Sequence, residues 1–177
     1  MTETVLEFSR RVPVRDLPED GREYRFEATP EERAAIAGRL GVIAVEALEV
    51  RFTLTPEGTG ALARGAFEAE VVQECVVTLE PVTGRAGGEI VQRFMPVDGA
   101  RAGETEIEVD ALAEDPPEPL VRGAAELGEL VVEHLALALD PYPRRPGAQA
   151  ELPHEEAGGA ATPFAKLRGL KLSATEG

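Results

Sequence analysis

The chain has 177 residues, the length of one domain with a tail, and 43% of them are hydrophobic, enough to bury a core without staples. Against 18 basic side chains it carries 33 acidic ones, a formal net charge of -15 that opposes nucleic acid and anionic membrane unless basic residues are segregated into a patch. A single cysteine excludes an internal disulfide and gives no sign of an oxidising compartment. Aromatic residues are only 5% and Trp is absent, so the core is expected from Val, Leu and Ala, with Phe8, Phe26, Phe52, Phe67 and Phe94 as its larger members. Met1-Thr2-Glu3-Thr4 opens without an apolar stretch, and no apolar run approaches the roughly 18 residues of a membrane span. The expected location is the cytoplasm.

Leu6, Phe8, Val12 and Val14 give a broken alternation that predicts an edge strand, with Pro13 tolerated there. A turn-rich loop over 16–21 leads to a short strand from Glu23 to Ala28, with Tyr24 and Phe26 on one face. Thr29-Pro30-Glu31-Glu32 predicts a helix over 30–40: Thr29 caps it, Pro30 suits the first helical position, Glu32 completes a capping box, and Gly41 stops it. From Val42 the period becomes two. Leu48, Val50, Phe52 and Leu54 alternate with Glu49, Arg51, Thr53 and Thr55, as in a half-buried strand. After the turn over 56–60, Phe67, Ala69 and Val71 stand in register on the next strand, and Cys75, Val77 and Leu79 continue the inward phase. Leu62 to Glu80 is too long for one ordinary strand, which predicts a bend or bulge near Val72-Gln73. Thr83-Gly84 and Gly87-Gly88 read as turns, with a further strand from Glu89 to Met95.

Residues 98–119 are rich in acid, with Ile107, Val109 and Leu112 as a possible short edge strand and Asp115 to Pro119 as a loop. A second helix is predicted from Glu126 to Asp140. Leu127, Leu130, Val131, His134, Leu135 and Ala138 form its stripe, Leu137 and Leu139 widen it, and Glu126, Glu129 and Glu133 mark its outer side. Residues 147–162 read as a flexible linker, poor in large apolar residues. In 163–177, Phe164, Leu167, Leu170 and Leu172 interleave with Lys166, Arg168 and Lys171, a pattern suited to docking.

The residues offer little catalytic chemistry. Cys75 has no cation beside it in sequence and sits on an inward phase, so a buried structural thiol outweighs a nucleophile. Cys75, His134 and His154 lack the spacing of a zinc site, so neither a metal nor another cofactor is expected. No phosphate-binding Gly loop and no Gly-x-Ser-x-Gly occurs. Tyr142 beside Arg144 and Arg145 is the one aromatic–basic juxtaposition, a weak basis for RNA contact in so acidic a chain.

Three stretches together carry a resemblance: Gln73-Glu74-Cys75-Val76-Val77-Thr78-Leu79-Glu80-Pro81; Glu126-Leu127-Gly128-Glu129-Leu130 running on to Asp140-Pro141-Tyr142-Pro143-Arg144; and Pro163-Phe164-Ala165-Lys166-Leu167 with Leu170-Lys171. In this order the chain, from about residue 5 onward, resembles the YceD family of large ribosomal RNA subunit accumulation proteins. The resemblance implies a role in 23S rRNA accumulation and large-subunit assembly, no established catalytic activity, and a gene neighbouring that of the small zinc-binding L32 ribosomal protein. Many members of that family carry a second cysteine three residues after the first. Here Thr78 stands in that place, which removes any role needing both thiols.

The expected fold is α+β, a single domain over 1–146. It has a bent, antiparallel, barrel-like sheet of five to seven strands with two packed helices, followed by a flexible C-terminal tail. The expected function is that of a non-enzymatic assembly factor. It would bind a basic large-subunit ribosomal protein (L32 being one candidate) or a pre-ribosomal particle. Direct rRNA binding is the alternative, and a thiol-dependent enzyme using Cys75 a weaker one. Partner contacts are expected at Glu74, Thr78, Glu80, Tyr142, Arg144 and Arg145, and in the tail at Phe164, Lys166, Leu167 and Lys171. Cys75 and Pro81 are expected to be structural.

Overall fold

In the computed structural model, residues 6–96 and 116–149 are described. The elements run β1 (Arg11–Pro13), β2 (Arg22–Glu27), α1 (Pro30–Leu40), β3 (Ala44–Glu57), β4 (Gly60–Glu74), β5 (Pro81–Met95), β6 (Glu118–Pro119), β7 (Ala124–Glu126) and α2 (Leu127–Ala138). Five strands form one sheet in the order β2-β3-β4-β5-β6, and β1 pairs with β7 apart from it. The α+β class, with an antiparallel body and two packed helices, is as the sequence implies. The sheet is open rather than barrel-like, because its two edge strands, β2 and β6, do not meet. It is also not wholly antiparallel, since β6 runs parallel to the end of β5.

Period-two patterning organises the body of the sheet. Leu48, Val50, Phe52 and Leu54 of β3, Phe67, Ala69 and Val71 of β4, and Ala86, Ile90 and Phe94 of β5 are all buried on one face. Ile36 and Ala37 of α1 and Leu127, Leu130, Val131, Val132 and Leu135 of α2 join the same core. Full burial of each large aliphatic or Phe side chain contributes roughly 1.5–3 kcal/mol before the cost of ordering it. The opposite face of the sheet carries exposed Glu49, Arg51, Glu68, Arg85 and Glu89, and no helix covers it among the described residues.

α1 follows the sequence reading closely. Thr29 accepts from the Glu32 backbone N–H, the Glu32 carboxylate accepts from the Thr29 N–H at 2.9 Å, and Gly41 ends the helix at φ 67°. α2 starts one residue later than expected. Glu126 is its N-cap, not an outward-facing residue: its carboxylate accepts from the N–H groups of Arg10 (2.6 Å) and Gly128 (3.2 Å) and from the Ser9 hydroxyl (2.7 Å). Gly128 is required by this junction, since a Cβ there would lie 2.3 Å from the Phe8 carbonyl oxygen. Leu137, expected on the stripe, is 84% exposed near the end of the helix. Arg39 ties the helices together, donating to Glu129 of α2 at 2.6 Å and to Glu7 at 3.0 Å.

Other expectations needed revision. The first strand shrinks to three residues, and Phe8 is instead a fully buried core residue, with the Arg10 guanidinium 4.2 Å above its ring. The irregularity lies in β3, between Val45 and Ala47, not at Val72-Gln73. The extra residue, Glu46, is exposed, so that Val45 and Leu48 can both point inward. Thr83-Gly84 and Gly87-Gly88 are not turns but lie within the 15-residue β5. Gly87 serves close approach there, because a Cβ would meet the Phe67 carbonyl oxygen at 2.8 Å. Residues 118–119, read as loop, form β6 beside Phe94 and Met95, helped by Gln92, whose Nε2 donates to the Pro116 carbonyl at 3.1 Å. The strand suggested at Ile107, Val109 and Leu112, nearly all of the linker over 147–162 and the whole docking segment over 163–177 lie outside the described residues.

A candidate functional site where two distant segments meet

β4 ends at Glu74, and Cys75 to Glu80 form a tight reversal rather than a continued strand. The Cys75 N–H donates to the Glu80 carbonyl at 2.9 Å, and the Leu79 N–H donates to the Cys75 carbonyl at 2.9 Å. Pro81 then opens β5 opposite Glu74. The inward alternation expected for Cys75, Val77 and Leu79 therefore fails. Cys75 is fully buried, Val77 is partly buried, and Leu79 is 68% exposed at φ 58°, a left-handed backbone that costs a branched side chain.

The segment after α2 folds back onto this reversal. Gln73 Nε2 donates to the Asp140 carbonyl at 3.0 Å, the Val76 N–H to the Pro143 carbonyl at 2.9 Å, and the Arg145 N–H to Cys75 Sγ at 3.4 Å. The Arg145 guanidinium pairs with the Glu80 carboxylate and holds that carboxyl below the usual range, through the hydrogen bond first and then the charge. Asp140 stiffens the segment itself by accepting from the Tyr142 N–H at 2.9 Å. Two motifs about seventy residues apart thus form one clamp at one end of the sheet.

At its centre is Cys75 Sγ, which also accepts from the Thr78 N–H at 3.4 Å. The thiol pKa is brought down to about 6, chiefly by the Thr78 side chain and then by the Arg145 and Thr78 backbone N–H groups, against an opposing effect of burial. No neighbouring cation in sequence pointed to this, because the donors come from the turn itself and from the returning chain. Thr78 occupies the place where the resemblance described above has a second thiol, and it faces the first one.

Of the residues expected to bind a partner, Glu74, Thr78, Glu80, Tyr142, Arg144 and Arg145 are brought to this one end, and all six are exposed. Arg145 is engaged by Glu80, whereas Arg144 makes no ion pair among the described residues. Phe164, Lys166, Leu167 and Lys171 lie outside the described residues. Sequence reasoning missed the outward Leu79, which joins Val76 (46% exposed) and Tyr142 (70% exposed) as an exposed apolar set here. The run Leu79-Glu80-Pro81, closing on a proline, was the available signal of a reversal. Among the described residues no three His, Cys, Asp or Glu side chains converge as metal ligands, and no helix is long and apolar enough to cross a membrane. His134 shares a 2.9 Å hydrogen bond with the Leu130 carbonyl within α2.

An open sheet with two helices on one face and a clamp tying its long hairpin to the post-helical segment defines an α+β protein whose two most distinctive sequence stretches form one surface. A family model described as "Large ribosomal RNA subunit accumulation protein YceD" matches residues 63–171, and the chain belongs to this family. The match begins inside β4, so it takes in the whole clamp but not β1, β2, α1 or β3. No curated protein and no solved structure matches the chain.

Proposed function

We propose that this protein is a non-enzymatic factor that supports 23S rRNA accumulation and large-subunit assembly in the cytoplasm, by binding a basic ribosomal protein or an assembly intermediate containing one. Membership of the family supports the large-subunit role. One row of like charges supports a basic protein partner. On the uncovered sheet face Glu27, Glu49 and Glu68 stand directly opposite one another across three strands. None of the three carboxylates is in an ion pair among the described residues. Like charges placed opposite each other in a sheet are destabilising, and a cationic partner relieves that repulsion. The L32 ribosomal protein, suggested by the family resemblance, is one candidate of this chemistry.

Direct rRNA recognition through Tyr142, Arg144 and Arg145 is the second reading, favoured by the exposed Tyr142 ring near Arg144. It is weakened by the Glu80 pairing, which leaves a single uncommitted cation of that pair for phosphate. A thiol-dependent activity of Cys75 ranks lower, because its sulfur is shielded by the clamp.

The test is retention of two probes by the immobilised full chain across a salt series: proteins stripped from purified large subunits, and deproteinised 23S rRNA. Retention of one or a few basic ribosomal proteins, without RNA, is the expected result. Retention of naked 23S rRNA that falls steeply with salt, with no ribosomal protein bound, would overturn the protein-partner reading.

A further inference from the structure

Among the described residues β5 is paired along its length on one side only. It matches β4 residue by residue from Pro81 to Phe94. On its other side, among the described residues, its strand neighbour is β6, and only at Phe94 and Met95. Over Val82–Val91 the strand therefore presents an edge of backbone N–H and C=O groups that no strand among the described residues receives. Thr83, Arg85, Gly87, Gly88, Glu89 and Val91 along it are exposed, Val91 to 59%. A long, accessible edge of this kind is a template for pairing with another chain.

The side chains along the edge select which chain. On the uncovered face Arg85 and Glu89 lie two residues to either side of Gly87, and neither is in an ion pair among the described residues. Two copies of β5 laid antiparallel about a two-fold axis at Gly87 set Arg85 opposite Glu89 of the second copy and Glu89 opposite its Arg85. The same register sets Thr83 opposite Val91 on both flanks, a β-branched pairing suited to a sheet. A register centred on Arg85 or on Glu89 opposes like charges. One centred on Val91 would match Glu89 with Arg93, but β6 already occupies the edge at Phe94 and Met95. The edge is thus self-complementary in one register, as a two-fold interface requires.

We infer that the protein forms a two-fold dimer by antiparallel pairing of its β5 edges about Gly87, with reciprocal Arg85–Glu89 ion pairs. The two five-stranded sheets then continue into one, and the uncovered faces, with their glutamate rows, lie side by side. This inference stands apart from the ribosomal reading and does not need it.

Sedimentation equilibrium of the full chain over a wide concentration range tests it. A reversible monomer–dimer equilibrium is expected. Arg85→Glu and Glu89→Arg alone each weaken it about tenfold or more, because two attractive pairs become repulsive. The double swap Arg85→Glu with Glu89→Arg restores it. Both side chains are exposed, so at dilutions where the wild type is monomeric the single variants should keep its melting temperature, which separates lost pairing from lost folding. Hydrogen exchange gives an independent readout: protection of amides 82–91 that rises with protein concentration is expected. A chain that stays monomeric at every concentration overturns the inference, whether or not those amides are protected, and so does a dimer indifferent to the single swaps or not restored by the double one.

Discussion

The backbone N–H of Arg145 donates to the sulfur of Cys75, joining two segments 70 residues apart through the chain's one thiol. Because the same arginine pairs its side chain with Glu80, the returning segment is held at both ends of the Cys75–Glu80 reversal. A neutral thiol accepts such hydrogen bonds weakly and a thiolate accepts them well, so the clamp should tighten as Cys75 ionises.

That gives a pH dependence with a definite sign. Folding lowers the Cys75 pKa from 9.0 to about 6. The unfolded state therefore binds more protons between those values, and stability rises as pH increases from about 6 toward 9. The contribution is fully present above the unfolded pKa and is lost as pH falls through the folded one. Urea unfolding of the wild type and of Cys75→Ala at pH 6, 7, 8 and 9 checks it. The wild type is expected to gain stability relative to the variant across that range. A constant difference between them at all four pH values refutes the thiolate account.

Leu79 supplies a second prediction. It holds a left-handed backbone while its side chain is largely in solvent, so folding gains little from the side chain and pays for the conformation. Leu79→Asn places a residue that tolerates φ > 0 there, and should raise stability by about 0.5–1 kcal/mol. A denaturant midpoint that falls instead means that the Leu79 side chain makes a stabilising contact.

Gly128 is the opposite case. Gly128→Ala, ordinarily favourable inside a helix, should here destabilise by about 2–4 kcal/mol, because the added methyl collides with backbone at Phe8 and Arg10 and the first turn of α2 must move. Equilibrium unfolding measures this directly. A stabilised variant would show that the junction between α2 and residues 8–10 is looser than described.

What could be read in the sequence were features whose cause is local. The capping box at Thr29 and Glu32 needs four residues, and the alternation from Leu48 to Leu54 needs seven, so both were legible and both are present. What was lost depends on contacts between distant residues. Gly87 looks like a turn until Phe67 is seen to bring its carbonyl against it. Glu126 looks like an exposed acid until the N–H groups of residues 10 and 128 converge on it. Cys75, Val77 and Leu79 keep an inward rhythm on paper, but alternation cannot report where a chain reverses. The site was legible as two separate motifs. Their union was not, since it depends on α2 delivering residues 140–145 to the end of β4.

The pairing of β1 with β7, and the seating of Gly128 against the backbone of Phe8 and Arg10, make the earliest described residues depend on β7 and α2. During synthesis β2 to β5 can associate as they emerge, but β1 lacks its strand partner, with Val12 opposite Ala125, until residues 124–126 have left the ribosome. Closure of the domain therefore reports that translation has passed β7, and a chain interrupted before that point leaves β1 unpaired and open to quality control.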